Sequence, residues 1–132
     1  MESLPFSWQT FRARGVEWLF DADGWRYRFE RWPLNLPPDR RDCVFAFADM
    51  RRTVLFIGVA GKLREQVFSH ARLRDAINAG AVEIWAHTPG REDPFTATDV
   101  RARLEHAVRP ALNGRAGPPR RARPALIGVE AI

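Results

Sequence analysis

The sequence predicts an α+β fold, with a small central antiparallel or mixed sheet flanked by helices. Five segments have the alternating or uninterrupted apolar pattern of short strands. Segments with a helical pattern lie between the fourth and the fifth of these, and after the fifth. A length of 132 residues with 45% hydrophobic composition allows one core and is too short for two ordinary domains. We therefore expect one domain with extensions, divided as residues 1–42, 43–113 and 114–132.

An aromatic β-hairpin is expected near the N-terminus. Residues 1–32 hold nine of the fifteen aromatic side chains. Apolar residues alternate with others in residues 16–20 and again in residues 25–29, which is typical of strands. Residues 21–24 (Asp-Ala-Asp-Gly) have the composition of the turn between them.

A four-residue turn would set the register of this hairpin. In that register the facing pairs are Phe20 with Trp25, Trp18 with Tyr27, and Glu17 with Arg28. One face is then aromatic and the other charged. The aromatic face is suited to stacking unpaired bases, to burial against the rest of the domain, or to contact with a protein partner. Burial is favoured because large aromatic side chains dominate small cores.

A proline-rich connection and a second hairpin follow. Residues 33–42 have the composition of a polar linker. Residues 43–48 and 53–58 are short apolar runs separated by Asp-Met-Arg-Arg. They predict two largely buried strands joined by a tight turn.

Two short helices and one more strand are expected next. Helical patterns cover residues 62–70 and 72–79, and Gly80 ends the second helix as a C-terminal cap. Residues 81–88 alternate well enough for a third strand of the core.

A longer helix ends this part of the chain. It spans residues 96–109 with Thr96 or Thr98 as its N-cap, and Pro110 stops it because proline disrupts helical hydrogen bonding. From residue 43 onward the expected order is therefore ββααβα.

The last segment is rich in arginine and proline. Residues 114–124 contain four arginines and no acidic residue, a composition that does not form a core by itself. Within it, Arg120, Arg121 and Arg123 either contact a phosphate backbone or belong to a solvated tail. Residues 126–129 are apolar enough to return as an edge strand.

Four short fragments occur in order within residues 43–113. They are Cys43-Val44-Phe45, Phe56-Ile57-Gly58, Leu63-Arg64 followed by His70, and Pro110-Ala111-Leu112-Asn113. Together with the ββααβα order, they resemble the GIY-YIG nuclease superfamily, in which two hairpin strands carry the halves of the motif. In that family the next helix carries an arginine and a later helix carries a metal-binding glutamate.

The resemblance implies phosphodiester hydrolysis with one divalent metal, Mg²⁺ or Mn²⁺. In such nucleases a tyrosine helps to activate water and an arginine stabilises the charged phosphate. Here Phe45 and Phe56 replace both motif tyrosines, and Gln66 stands where the arginine is expected, eight residues beyond Gly58. A phenyl ring has no proton to transfer. The resemblance therefore implies the family fold with a degenerate active site.

Lys62 and His70 are the nearest substitutes for the lost groups. If residues 62–70 form one helix, both flank Gln66 at a distance of four residues, and the three side chains share a face that can contact one phosphate. The alternative is a polar helix face in which His70 is merely typical of the family. Arg64 lies about 200° around the helix from Gln66 and is expected to bind nucleic acid instead.

Glu105 is the candidate metal ligand. In the family, the metal-binding glutamate lies about twelve residues before the asparagine that corresponds to Asn113, and Arg101 occupies that position here. Glu105 lies one helical turn away on the same face. A single carboxylate makes a weak magnesium site unless a phosphate adds ligands. Gly58 and Asn113 are expected to be structural, with Asn113 tying the end of the domain to the core.

Charge and composition indicate the partners and the compartment. The formal net charge of +5 favours anionic partners, of which nucleic acid is the commonest for a small basic domain. The longest apolar run is far shorter than the roughly 18 residues of a membrane span, so no membrane association is expected. The single cysteine, Cys43, excludes an internal disulfide, and we expect a cytoplasmic location.

Three functions are compatible with these observations. The first is a GIY-YIG-like domain that no longer cleaves and binds DNA through a basic surface including Lys62, Arg64 and the arginine-rich tail. The second is a divalent-metal-dependent DNA endonuclease with an atypical active site, in which Glu105 holds the metal. The third is a protein-interaction or structural module whose contact surface is the N-terminal hairpin.

Overall fold

Five antiparallel strands form one sheet at the centre of the molecule. The computed structural model describes the backbone of residues 13–116 and the side chains of residues 13–114. The strands lie in the order β1-β2-β5-β3-β4, and every neighbouring pair is antiparallel. Their bounds are β1 Gly15–Phe20, β2 Arg26–Pro33, β3 Arg41–Asp49, β4 Val54–Lys62 and β5 Ala81–His87.

Short helices lie on both sides of the sheet. Their bounds are α1 Leu63–Gln66, a 3-10 helix Val67–Ser69, α2 Leu73–Asn78, α3 Ala97–Val108 and α4 Ala111–Ala116. The predicted α+β class is confirmed. From residue 43 onward the chain forms two strands, two helical segments, a strand and a helix, as expected, and α4 crosses the boundary predicted at residue 113.

The helix expected over about residues 62–70 forms over residues 63–69, but it changes to a 3-10 helix at Val67 and breaks at His70. β4 continues to Lys62, one turn of α-helix follows, and the 3-10 helix comes before His70, which is extended (φ −70°, ψ 137°). This break lets the His70 ring pack against the phenylalanines of β3 and β4. Tertiary packing has overridden the local helical pattern.

Each face of the sheet has its own core, because alternate side chains of a strand point to opposite faces. The α1–α2 face, covered by α1 and α2, buries a cluster that includes Trp32, Phe45, Phe47, Phe56, Leu63, Val67, Ala76 and Ile84. The opposite α3 face buries a cluster that includes Tyr27, Phe29, Val44, Ile57, Trp85, Val100 and Leu104. Coverage on both faces explains why β3 is apolar along almost its whole length.

The N-terminal hairpin forms, but its predicted register is wrong by one residue. The observed partners are Trp18 with Arg28, Leu19 with Tyr27, and Phe20 with Arg26. Five residues, 21–25, separate the paired ends Phe20 and Arg26, one more than expected, and within them the backbone N–H of Asp21 donates to Trp25 O at 3.0 Å. A slip of one residue moves side chains to the opposite face. Tyr27 and Phe29 are therefore buried on the α3 face, whereas Trp18 and Phe20 lie exposed on the other.

The connection after the hairpin is packed against the domain. The backbone N–H of Leu34 donates to Val82 O at 3.0 Å, and Pro37 and Pro38 are buried. β2 pairs directly with β5. The hairpin is thus part of the central sheet, and residues 33–42 are not the loose linker that their composition suggested.

The caps predicted for the long helix are confirmed. The Thr96 hydroxyl accepts a hydrogen bond from the Asp99 N–H, and the Asp99 carboxylate accepts one from the Thr96 N–H. At the other end Arg109 adopts a left-handed conformation (φ 53°), and Pro110 follows. These caps fix where α3 begins and ends over the sheet.

Two further expectations concern the C-terminal tail and the membrane. Arg120, Arg121, Arg123 and the strand expected at residues 126–129 lie outside the described residues. Between residues 13 and 116, no helix is long and apolar enough to cross a membrane.

Candidate functional site

The two motif phenylalanines lie together in the core, on either side of a glycine. Phe45 of β3 is paired with Gly58 of β4, and the rings of Phe45 and Phe56 are 6.0 Å apart. A Cβ atom on Gly58 would stand 2.8 Å from Phe56 Cε2 and 2.9 Å from Phe45 Cζ. Gly58 therefore leaves the space that both rings occupy. The rings are 1% and 7% exposed, so these positions contribute packing.

His70 completes this aromatic cluster. Its ring lies 5.4 Å from that of Phe45 and 5.2 Å from that of Phe56, with edge-to-face geometry. His70 Nδ1 accepts a hydrogen bond from the backbone N–H of Arg72 at 3.0 Å. Burial and the nearby positive charge of Arg72 lower the pKa of His70. The neutral imidazole is thus the stable form, suited to packing among phenyl rings.

Gln66 and Lys62 interact with each other, away from this cluster. Gln66 Oε1 accepts a hydrogen bond from the backbone N–H of Lys62 at 2.7 Å and so closes the single turn of α1. The Lys62 ammonium lies 4.0 Å from the Glu65 carboxylate, and both groups are exposed. Because Lys62 still belongs to β4 and His70 is extended, the shared helical face predicted for Lys62, Gln66 and His70 does not form.

Glu105 is held by two neighbours. Arg101 Nη1 donates to Glu105 Oε1 at 2.9 Å, and Asn113 Nδ2 donates to Glu105 Oε2. Within residues 13–116, no three or more histidines, cysteines, aspartates or glutamates are grouped to hold a metal ion. Glu105 is therefore ion-paired with Arg101, the residue at the position where the resemblance expects the metal-binding glutamate.

Asn113 ties the end of the domain to the sheet, as predicted. Its Oδ1 accepts from the Ile57 N–H at 2.7 Å and its Nδ2 donates to Ile57 O at 2.8 Å. Ile57 belongs to β4, the outermost strand on that side. The amide thus satisfies an edge backbone pair as another strand would, which protects this edge.

Basic side chains gather at one end of the sheet. In an antiparallel sheet, the ends of β1, β4 and β5 lie at the same end as the beginnings of β2 and β3. Arg41 is paired with Lys62 there, two residues beyond the Cys43–Ala60 pair that faces the α1–α2 core. We call five exposed basic residues at this end the basic strip: Arg26, Arg28, Arg41, Lys62 and Arg64.

Acidic residues beside the basic strip are Glu30, Asp42 and Glu65, of which Glu65 lies 4.0 Å from Lys62. Glu30 accepts hydrogen bonds from Arg40 Nε and Nη2, at 3.1 and 2.7 Å, and is thereby neutralised. A shallow groove beside this pair is lined by Arg28, Glu30, Arg40, Ala86, His87 and Thr88. In the described part of the chain neither Arg26 nor Arg28 forms an ion pair. This end of the sheet thus presents net positive charge.

Sequence reasoning missed most of the basic strip and located part of it. Lys62 and Arg64 were expected to bind nucleic acid and lie in the strip. Arg26 and Arg28 stood in the sequence as the charged residues that alternate with Tyr27 and Phe29, but the wrong register separated them from Trp18. Their approach to β3 and β4 depends on β5 lying between, which no local pattern indicates.

A second polar cluster, also unpredicted, anchors the hairpin to α3. Asp21 is buried and accepts hydrogen bonds from Tyr27 Oη and Arg103 Nε, both at 2.7 Å. Burial raises the pKa of Asp21, but the hydrogen bonds from Arg103, Tyr27 and two backbone N–H groups outweigh it, so the pKa lies below its ordinary value. Burial and the contact with Asp21 raise the pKa of Tyr27 to about 12. The cluster is structural.

Comparison with known proteins leaves the family open. No family model, no curated protein and no solved structure matches this chain. The function is therefore inferred from the residues and their geometry.

Proposed function

We propose that this chain is a DNA-binding domain with a GIY-YIG-like core whose catalytic positions have become packing positions. The observation that carries the binding proposal is the basic strip, in which Arg26, Arg28, Arg41, Lys62 and Arg64 are exposed at one end of the sheet. Guanidinium and ammonium groups neutralise backbone phosphates and release counterions on binding. A net charge of +5 favours the same partner at longer range.

The aromatic cluster supports binding without cleavage. Phe45 and Phe56 are buried and have no hydroxyl to activate water or contact a phosphate. His70 packs its neutral ring against them, and Gln66 caps α1. Glu105, the candidate ligand for Mg²⁺ or Mn²⁺, is shared between Arg101 and Asn113. Of the side chains expected at the family site, all but Lys62 thus have a structural role.

Salt-dependent DNA binding tests the proposal. We expect fluorescence anisotropy with a labelled duplex to show an affinity that falls steeply as salt rises. An Arg41→Ala and Lys62→Ala double variant removes two phosphate contacts. The slope of log affinity against log salt is negative, and its magnitude is expected to fall by about 1.8. Arg51→Ala is the matched control, since Arg51 is exposed in the β3–β4 turn at the opposite end of the sheet.

The result that would overturn DNA binding is an absence of affinity at low salt, which would favour a protein-interaction module. Cleavage is tested separately with plasmid and single-stranded DNA in Mg²⁺ and in Mn²⁺. We expect intact substrate in both. Metal-dependent cleavage that disappears in a folded Glu105→Ala variant would instead establish the endonuclease alternative.

A further inference from the structure

Among residues 13–114, the α1–α2 face of the sheet is only partly covered. Over β3, β4 and β5 the helices bury the aromatic cluster, but on β1 the side chains of Trp18 and Phe20 remain 43% and 54% exposed. Trp18 stands directly opposite Arg28, and Phe20 opposite Arg26. The open part of this face, which we call the hairpin surface, therefore alternates exposed rings with exposed guanidinium groups.

This alternation matches the two parts of a nucleotide. A ring offers a flat surface for a base, and a guanidinium on the neighbouring strand offers donors for the phosphate. Side chains on one face of a strand repeat at about 6.8 Å, whereas bases stacked in a duplex are about 3.4 Å apart along each strand. Trp18 and Phe20 therefore fit bases that are spread apart, as in an unpaired strand.

A planar cation already occupies a ring on this surface. Arg26 Cζ lies 4.8 Å from the centre of the Trp18 ring, so a base that stacks on this ring face must displace the guanidinium, which can then contact the phosphate. The nearest carboxylates are engaged elsewhere, since Glu30 pairs with Arg40 and Asp23 with Arg103. Glu30, which faces Val16 on this surface, has its charge offset by Arg40, whereas Arg26 and Arg28 form no ion pair among the described residues, which favours an anionic occupant over a neutral apolar one.

Taken together, these features lead us to propose that the hairpin surface binds single-stranded DNA, with bases stacked on Trp18 and Phe20 and phosphates held by Arg26 and Arg28. This rests on the proposed function, because Arg26 and Arg28 also belong to the basic strip. It specifies whether the bound DNA is single-stranded or duplex, which the basic strip alone does not determine. The proposed ligand is DNA, as in the proposed function, and RNA of the same sequence serves as the competing probe.

The test compares ring deletions on a single strand and on its duplex. Trp18→Ala and Phe20→Ala are each expected to weaken binding of a single-stranded DNA oligonucleotide by about 5- to 150-fold. Binding of the duplex of the same sequence is expected to change by less than about twofold. Phe68→Ala is the matched control, because Phe68 is an equally exposed phenylalanine (58%) in the 3-10 helix. Thermal unfolding verifies that each variant is folded.

Each other outcome overturns the proposal in a recognisable way. If the ring variants bind single-stranded DNA normally while Arg41→Ala with Lys62→Ala weakens duplex binding, the hairpin surface is not the site and the proposed function stands. If no DNA binds at low salt, both fail. Equal or tighter binding of RNA of the same sequence removes the preference for DNA. A dimer in light scattering that Trp18→Ala dissociates, without effect on DNA binding, assigns the surface to a second copy.

Discussion

The two halves of the α1–α2 face carry similar side chains and use them differently. On β3 and β4, Phe45 and Phe56 lie under helical segments and against His70, and almost no ring surface is exposed. On β1, Trp18 and Phe20 occupy the same face of the same sheet with about half of each ring exposed. An aromatic pattern on a strand therefore does not by itself separate core from binding surface. What separates the two is whether another element lies over the strand.

The opposite face explains why the hairpin stays in the sheet with one side open. There, Tyr27 and Phe29 of β2 are buried in the same cluster as Val100 and Leu104 of α3. Asp21 adds the polar contact to Arg103. β2 is also fixed by its pairing with β5 and by the burial of Trp32 on the α1–α2 face, so among residues 13–114 only the β1 side of that face is open.

The largest effect is expected from the anchor of the hairpin. Asp21→Asn removes the charge that accepts hydrogen bonds from Tyr27 and Arg103, and is expected to lower the free energy of unfolding by about 1.5 to 3 kcal/mol. Urea unfolding measures the loss. Asp23→Asn is the control, because the Asp23 carboxylate is mostly exposed although it also pairs with Arg103. We expect that loss to be below about 1 kcal/mol.

The same anchor has a defined pH dependence. The pKa of Asp21 is held below its ordinary value of 3.8 in the folded protein. Its carboxylate therefore stabilises the fold above that value, and this contribution is lost as the pH falls through the lower pKa of the folded state. The stability difference between the original protein and Asp21→Asn should narrow below about pH 4. A difference that stays constant down to pH 2 would contradict the role of the charge.

The covered half of the face is tested at its glycine. Gly58→Ala places a Cβ within 3 Å of two ring atoms, so both phenylalanines must move, and a loss of about 1 to 3 kcal/mol in unfolding free energy is expected. Gly61→Ala is an unusually close control. Gly61 lies in the same strand, but a Cβ atom added there would be 3.9 Å from Gln66 Oε1 and 4.0 Å from Asp42 Oδ1, which is ordinary contact. Equal losses in the two variants would show that strand propensity, and not ring packing, sets the cost.

Sequence patterns predicted the covered half better than the open half. Residues 43–48 and 53–58 are apolar and close in sequence, so their pairing and burial follow from local composition. The N-terminal hairpin depended on the length of one turn, and Asp21 lengthens it by accepting the backbone N–H groups of Asp23 and Trp25. One residue of error then exchanged the buried and exposed faces.

The candidate site shows the same limit. Phe45, Phe56 and Gly58 were grouped correctly because their strands are neighbours both in sequence and in the sheet. Joining Arg28 to Arg41 requires knowing that β5 enters between β2 and β3, through pairs of residues that are 32 to 56 positions apart. Local pattern carries no such information. The helix break before His70 was missed for a related reason, since only the rings beneath it favour the break.

The smallest effect is expected where the surface is open. Trp18→Ala removes an exposed ring and its contact with Arg26, and its effect on the free energy of unfolding should be about 0.5 kcal/mol and no more than about 1. Urea unfolding beside Asp21→Asn gives the direct contrast. A loss above about 2 kcal/mol would mean that Trp18 is covered in solution and belongs to a core, as Phe45 does. A negligible loss, combined with weaker binding of single-stranded DNA, would separate a ring kept for contact from a ring kept for packing.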